Sequence, residues 1–217
     1  MSKSAAFCVQ EDRFHKKNEV NMKKRSPIII TIITAILAAS IQCVTAQRSP
    51  NQGQLLANAQ LSDKQTNQLK SLGVKVAVPS YIPAGFQVAS VQVKPCPSGV
   101  RRFCPNYAII YRNPNNSCFA IESTGGGIGD MPSADLEQSY PVNNSILGKS
   151  EVLKYRKNDR LSGPTLTGSW MGKGPFYRFT GAGSRLFLDT PTPELSNCKD
   201  ISPQEAVRVW ESLRYLP

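Results

Sequence analysis

The chain has 217 residues and a formal net charge of +11, from 26 lysines and arginines against 15 aspartates and glutamates. Its only histidine is His15, so the rest of the chain is excluded from Ser-His-Asp or Cys-His catalysis and from histidine acid–base work. This length suits one domain or two small ones.

The first quarter reads apart from the rest. Residues 1–21 are polar and mixed in charge, with no helical or strand period. Met22-Lys23-Lys24-Arg25 then precede an apolar run from Pro27 to Ile41 and the small-residue site Val44-Thr45-Ala46. A basic segment, a short apolar core and an Ala-terminated site form the pattern of a secretory signal. Cleavage after Ala46 is therefore expected, with Met22 an alternative start. Retention as an anchor competes with this reading, but the run Ile28 to Val44 is shorter than the ~20 residues a span needs. Cys43 as a lipoprotein cysteine is a third reading, and Gln42 stands where that pattern wants a small residue. The processed chain keeps 171 residues, with 19 of 26 basic and 12 of 15 acidic side chains, for a net charge of +7. A chain of that size buries about 70% of its unfolded surface, enough for one core.

Four cysteines lie beyond the cleavage site: Cys96, Cys104, Cys118 and Cys198. An even number in an exported chain points to disulfides. Zinc is disfavoured, because there is no Cys-x-x-Cys pair and no histidine to complete a site. Three connectivities are possible, and Cys96–Cys104 with Cys118–Cys198 is the expected one. The first pair flanks the loop Pro97 to Phe103 symmetrically. If that loop joins antiparallel strands, its ends fall within bridging distance. The second pair follows by elimination and ties the C-terminal segment to the sheet.

In chain order, residues 47–60 are polar and Gln/Asn-rich and read as a linker, leaving 61–217 as one domain. Leu61, Leu69 and Leu72 recur at near-helical spacing, with Ser62 or Asp63 as N-cap and Gly73 past the end. Val74, Val76 and Val78 alternate as a strand that Pro79 stops. Strands follow at 86–93, 106–112 and 118–122, then near 136–142, 149–156, 165–171, 176–180 and 185–188, separated by turn formers such as Asn113-Pro114-Asn115-Asn116. Short strands without intervening helices predict an α+β fold built on an antiparallel meander. Ser202-Pro203-Gln204-Glu205 is a capping box with proline at the first helical position. It opens a closing helix with Val207, Trp210, Leu213 and Leu216 on the face toward the sheet and Arg208, Glu211 and Arg214 in water.

The stretch Val78-Pro79-Ser80-Tyr81-Ile82-Pro83-Ala84-Gly85-Phe86 resembles the opening motif of bacterial extracytoplasmic domains of undefined activity, written Pro-x-Tyr-hydrophobic-Pro-x-Gly-Phe. Some of those domains are attached to anti-sigma or sporulation regulators, and others stand alone behind a signal peptide. The resemblance covers residues 74–122 and the last helix; the cysteine-bearing hairpin and residues 123–200 depart from it. It implies a compartment and a fold and carries over no catalytic residue. Read from the residues alone, Pro79, Pro83 and Gly85 set a turn that lets Tyr81 and Phe86 pack at the sheet edge.

Candidate chemistry is sparse. Glu122, Asp130, Asp135 and Glu137 lie within 16 positions, and two carboxylates at the right separation cleave glycans; ordinary loop acids are the plainer reading. Gly125-Gly126-Gly127-Ile128-Gly129-Asp130 lacks the Lys-Ser/Thr of a phosphate loop and reads as a flexible loop. Arg101 and Arg102 on the stapled loop, with Lys154, Arg156, Lys157 and Arg160 at a hairpin, are candidate contacts for an anionic envelope component or an acidic protein. Solvated hairpin charge is the plainer reading of these as well. Asn115-Asn116-Ser117 and Asn143-Asn144-Ser145 fit the glycosylation sequon, which matters in a eukaryotic host. No cofactor, metal or nucleic-acid partner is expected, and no membrane span after cleavage. The expectation is a non-catalytic envelope domain that binds or scaffolds another component. The alternatives are a carboxylate-based glycan hydrolase and a secreted inhibitor presenting the 96–104 loop.

Overall fold

A computed structural model describes residues 50–100, 103–129, 135–156, 165–184, 186 and 193–217, all within the unit Ala46–Pro217. The leader and its expected cleavage site lie outside the described residues.

The fold is α+β around a seven-stranded antiparallel sheet. Strands β2 (Gln87–Lys94), β3 (Asn106–Arg112) and β4 (Cys118–Thr124) form one meander, and β5 (Leu136–Asn144), β6 (Gly148–Tyr155), β7 (Leu166–Gly168) and β8 (Phe176–Thr180) form another. The two join where β8 pairs with β4, giving the order β2-β3-β4-β8-β7-β6-β5. The antiparallel α+β fold expected from the sequence is present, its strands running as two meanders joined at β4 and β8. Every residue of β4 is buried, and a strand buried along its whole length needs a neighbour on each side. The chain therefore leaves β4 for the far edge and folds back to it. The strand expected at 185–188 lies outside the described residues except for Leu186, which is buried.

One face of the sheet carries the main core. Tyr107, Ile109 and Tyr111 of β3, Phe119 and Ile121 of β4, and Tyr177 and Phe179 of β8 point into it. Phe119 sits at its centre, with ring centroids 4.9 Å from Tyr111, 5.7 Å from Phe179 and 5.3 Å from Phe86. The opposite face is covered more thinly: Ala108, Ile110, Cys118 and Ala120 pack with Leu186 and Leu195, the latter on the short helix α3 (Pro193–Ser196).

Part of the segment read as a linker is instead a helix, α1 (Pro50–Ala59). Its Leu56 and Ala59 are buried, Ala59 within the main core, and the Tyr111 hydroxyl donates to the Ala59 carbonyl at 3.1 Å. The Gln/Asn composition masked an amphipathic helix whose apolar positions are few. The next helix, α2 (Asp63–Lys70), carries the capping box of Ser62 and Gln65 and buries Leu69.

Both ends of the domain meet in a second, two-stranded sheet of β1 (Ala77–Pro79) and β9 (Leu213–Tyr215). The Val74–Val78 strand is therefore shorter than its alternation suggests and stands outside the main sheet. The closing helix α4 (Pro203–Glu211) stops before Leu213. Ser212 ends it, and the Leu216 amide donates to the Val76 carbonyl at 2.8 Å. Leu213 and Leu216 thus leave the helical stripe because β1 offers backbone partners that a longer helix would forfeit. The buried face of α4 is Ala206, Val209 and Trp210, with Val207 only partly buried.

The opening motif clasps this helix. The Ser80 amide and hydroxyl both donate to the Ser212 carbonyl, at 3.1 and 2.7 Å. The Tyr81 hydroxyl donates to Glu205 at 2.7 Å, and the Arg208 guanidinium lies 4.2 Å from the centre of its ring. Tyr81 therefore packs on α4, not at the sheet edge, and Phe86 enters the core. Arg208 stands over that ring, and Glu211 accepts the Asn143 amide at 3.0 Å, so neither is simply solvated.

Candidate functional site

The Pro-flanked loop between β2 and β3 is closed by the Cys96–Cys104 bridge, with Cα atoms 5.1 Å apart. The second bridge joins Cys118 to Cys198, Cα atoms 5.8 Å apart. Both pairings match the sequence expectation, and stable bridges of this kind belong to an oxidising compartment.

Inside the first loop the Val100 amide donates to the Pro97 carbonyl at 3.0 Å. Arg101 and Arg102 lie outside the described residues. On either side of them, Val100 is 45% and Phe103 57% exposed. The antiparallel register places the glycine loop after β4 beside this hairpin, since Tyr107 pairs with Ser123. That loop is less free than four glycines suggest. A β-carbon at Gly125 would collide with the Cys104 backbone, and Thr124 exchanges hydrogen bonds with Gly126 at 2.8 and 3.3 Å. Glycine is required here by close approach, and it docks one loop against the other. Ile128 follows at 39% exposed.

Glu122 and Glu137 do not form a site together. Glu122 on β4 is 1% exposed. Its Oε1 accepts from Arg178 Nε at 2.7 Å, Arg178 Nη2 at 2.5 Å and the Thr180 hydroxyl at 2.7 Å. Arg178 faces it directly across the β4–β8 pair and lies 4.4 Å from the centre of the Trp170 ring. A carboxylate so neutralised within the sheet is a structural ion pair. Glu137 lies on β5, which is four strand positions away from β4, a lateral separation of about 19 Å at ~4.8 Å per strand. Glycosidase carboxylates stand roughly 5–9.5 Å apart. Asp135 lies beside the start of β5, where its carbonyl accepts the Arg156 amide at 2.9 Å. Asp130 lies outside the described residues.

The basic residues are divided as well. Lys154 on β6 pairs with Glu137 at 3.1 Å, both half-exposed, a contact worth only about 0.2–1 kcal/mol. Lys154 and Arg156 sit where β6 leaves the sheet, at the end opposite the stapled loop and four strand positions from β3. Lys157 and Arg160 lie outside the described residues. Lys154 and Arg156 therefore lie at the opposite end of the sheet from the stapled loop.

An open groove of about 560 Å³ lies over the β5–β6 hairpin, lined by Lys149 and Glu151 and closed by Glu211 from α4. Glu211 accepts the Asn143 amide and Glu151 accepts the Ser139 hydroxyl, so both carboxylates already hold structural partners. Among the described residues no cluster of three metal-ligating side chains occurs, and no helix is long and apolar enough to cross a membrane.

Two polar residues that the sequence did not single out prove structural. Asn144, buried at the end of β5, donates from its amide to the carbonyls of Trp210, Glu211 and Leu213 at 3.0, 3.0 and 3.2 Å. Its Oδ1 accepts the amides of Ile146 and Leu147, both at 2.9 Å. Asp200 accepts the Ala182 amide at 2.7 Å and the Thr165 hydroxyl; burial pushes its carboxyl above the ordinary range. The two turn amides are local to Asn144, as its position in a turn signal implies, whereas its three carbonyl partners and those of Asp200 are brought together only by the fold. No known protein family, curated protein or solved structure matches the chain.

Proposed function

We propose that this chain is an exported, non-catalytic envelope domain, released by cleavage near Ala46, that binds or scaffolds another extracytoplasmic component through its stapled loop. The observation that carries the reading is the 96–104 loop itself: bridged at its base, braced by Gly125, and exposing Val100 and Phe103. A loop held in one conformation loses little entropy on binding, and an exposed aromatic beside arginines is the composition from which contact hot spots are made. The separation of Glu122 from Glu137 argues against glycan hydrolysis by this acid set. The opening motif's resemblance to extracytoplasmic domains agrees with the compartment.

The test is capture. Segment 46–217 holds every core residue named above and both bridges, so it carries a complete core. Immobilised in oxidised form and exposed to an envelope fraction, it is expected to retain a component. The triple variant Arg101→Ala, Arg102→Ala, Phe103→Ala is expected to hold about tenfold less of it or worse. Equal retention by the variant would remove the loop from the proposal.

A further inference from the structure

We infer that this chain pairs with a second copy of itself through the free edge of β2, antiparallel about a twofold axis at Gln92, so that the two main sheets become one. This edge is separate from the tip of the stapled loop, and the inference goes beyond the reading of that loop.

The main sheet has two edge strands, β2 and β5, and an open edge is a template for another strand unless something blocks it. β5 is blocked. The Ser169 amide donates to the Glu151 carbonyl at 3.0 Å, so Glu151 turns its backbone to β7, and its partner Pro141 turns outward. Proline has no amide to offer there. Two residues on, the outward Asn143 amide is already taken by Glu211.

β2 has neither device. The Asn113 amide donates to the Ser117 carbonyl at 3.0 Å. Alternation along the ladder then turns Tyr111, Ile109 and Tyr107 toward β4, and Ile110 and Ala108 toward β2. The β2 partners of Ile110 and Ala108 are Ser90 and Gln92, whose backbone groups are therefore spent on β3. Val91 and Val93 turn theirs outward, where no described residue takes their amides. The bulge between Val88 and Ser90 leaves the register regular from Ser90 to Lys94. No proline or charge interrupts the strand from Gln87 to Val93.

A second copy is the occupant that this edge fits. With Gln92 on the axis, Val91 of each copy meets Val93 of the other, apolar against apolar, and exchanges both backbone bonds with it. Lys94 falls opposite Ser90, so no like charges meet. Ser90 and Gln92 are only partly buried, yet the Ser90 hydroxyl and Gln92 Oε1 have no hydrogen-bond partner, a need that folds ordinarily satisfy. In the pair, Gln92 Oε1 of each copy faces the side-chain amide of the other, and each Ser90 hydroxyl faces a Lys94 ammonium. Pairing of identical strands about a twofold axis is self-complementary and closes with two copies.

Oxidised segment 46–217 is to be followed by sedimentation velocity across a wide concentration range, and a reversible monomer–dimer equilibrium is expected. Val91→Pro keeps the ladder to β3, because the Val91 amide points away from it, and is expected to weaken the dimer about tenfold. Gln92→Lys and Gln92→Glu each set like charges against one another on the axis, and each is expected to weaken it about tenfold. Mixed in equal amounts, these two variants are expected to form a mixed dimer at least as tight as the parent's, a recovery that misfolded chains would not give. A chain monomeric at every concentration, a dimer indifferent to Val91→Pro, or charge variants that stay apart when mixed would each overturn the inference. If the chain is monomeric and Val91→Pro abolishes capture from the envelope fraction, the edge takes a partner's strand and the second copy is excluded.

Discussion

Replacing Cys118 and Cys198 together with serine is expected to lower the free energy of unfolding by about 4 kcal/mol. The bridge closes a loop of 80 residues, and constraining a loop of that length removes about 4.5 kcal/mol of chain entropy from the unfolded state. It also anchors the strip that covers the sheet's second face. Beside it the Cys118 amide donates to the Lys199 carbonyl at 3.0 Å and the Lys199 amide to the Asn116 carbonyl at 2.8 Å. The paired replacement of Cys96 and Cys104 serves as the internal comparison. That bridge spans 8 residues, for which the same relation gives about 2.5 kcal/mol. Denaturant titration of both variants reads the two losses. A smaller loss at Cys118–Cys198 than at Cys96–Cys104 would contradict the role given to the long bridge.

Asn144→Ala is expected to cost about 3 kcal/mol, a large loss for a polar residue beside a turn. One side chain serves both the end of α4 and the turn into β6. Its removal leaves the two turn amides without a partner and takes a donor from the Trp210 carbonyl, while the Glu211 and Leu213 carbonyls keep Arg214 Nη1. The cost is roughly 1 kcal/mol or more for each buried group that loses its partner. Asn144→Asp separates this account from simple packing. The acid keeps the two acceptor bonds but turns an oxygen toward three carbonyls, so it is expected to be at least as damaging as alanine despite its identical shape. Fluorescence of Trp210 and a thermal melt check both variants; an Asn144→Asp protein as stable as the parent would refute the hydrogen-bond assignment.

What the sequence revealed and what it hid divide along a physical line. Alternation within β2, β3, β4 and β8 is local, and those strands sit close to where the period puts them. Strand order is not local. Nothing in residues 118–124 says that the partner beyond β3 is Phe176–Thr180, though a strand without a solvent face hints that it is central. The Leu213 and Leu216 spacing continues the α4 stripe faithfully, and only the unpaired backbone of β1, more than 130 residues earlier, explains why the helix stops. The Gln/Asn-rich segment hid α1 because composition outvoted the placement of Leu56 and Ala59.

The candidate site divides in the same way. The stapled loop was legible because two cysteines, two prolines and a short spacing define it locally. The acids 122 to 137 looked like a cluster because they are neighbours along the chain, yet the passage from β4 to β5 carries Glu122 and Glu137 to separate strands. The glycine run reads as flexible in sequence, whereas Gly125 is a contact point against Cys104. The reach of Asn144 to α4 and the partners of Asp200 were not legible because they come from other elements, although the turn that Asn144 caps was.

Passage into an oxidising compartment is tested most directly by mass mapping of the protein isolated from its own cells. Alkylation under denaturing, non-reducing conditions followed by proteolysis is expected to give a chain beginning after Ala46, with linked peptides pairing Cys96 with Cys104 and Cys118 with Cys198. A retained leader together with alkyl groups on all four thiols would contradict the central claim.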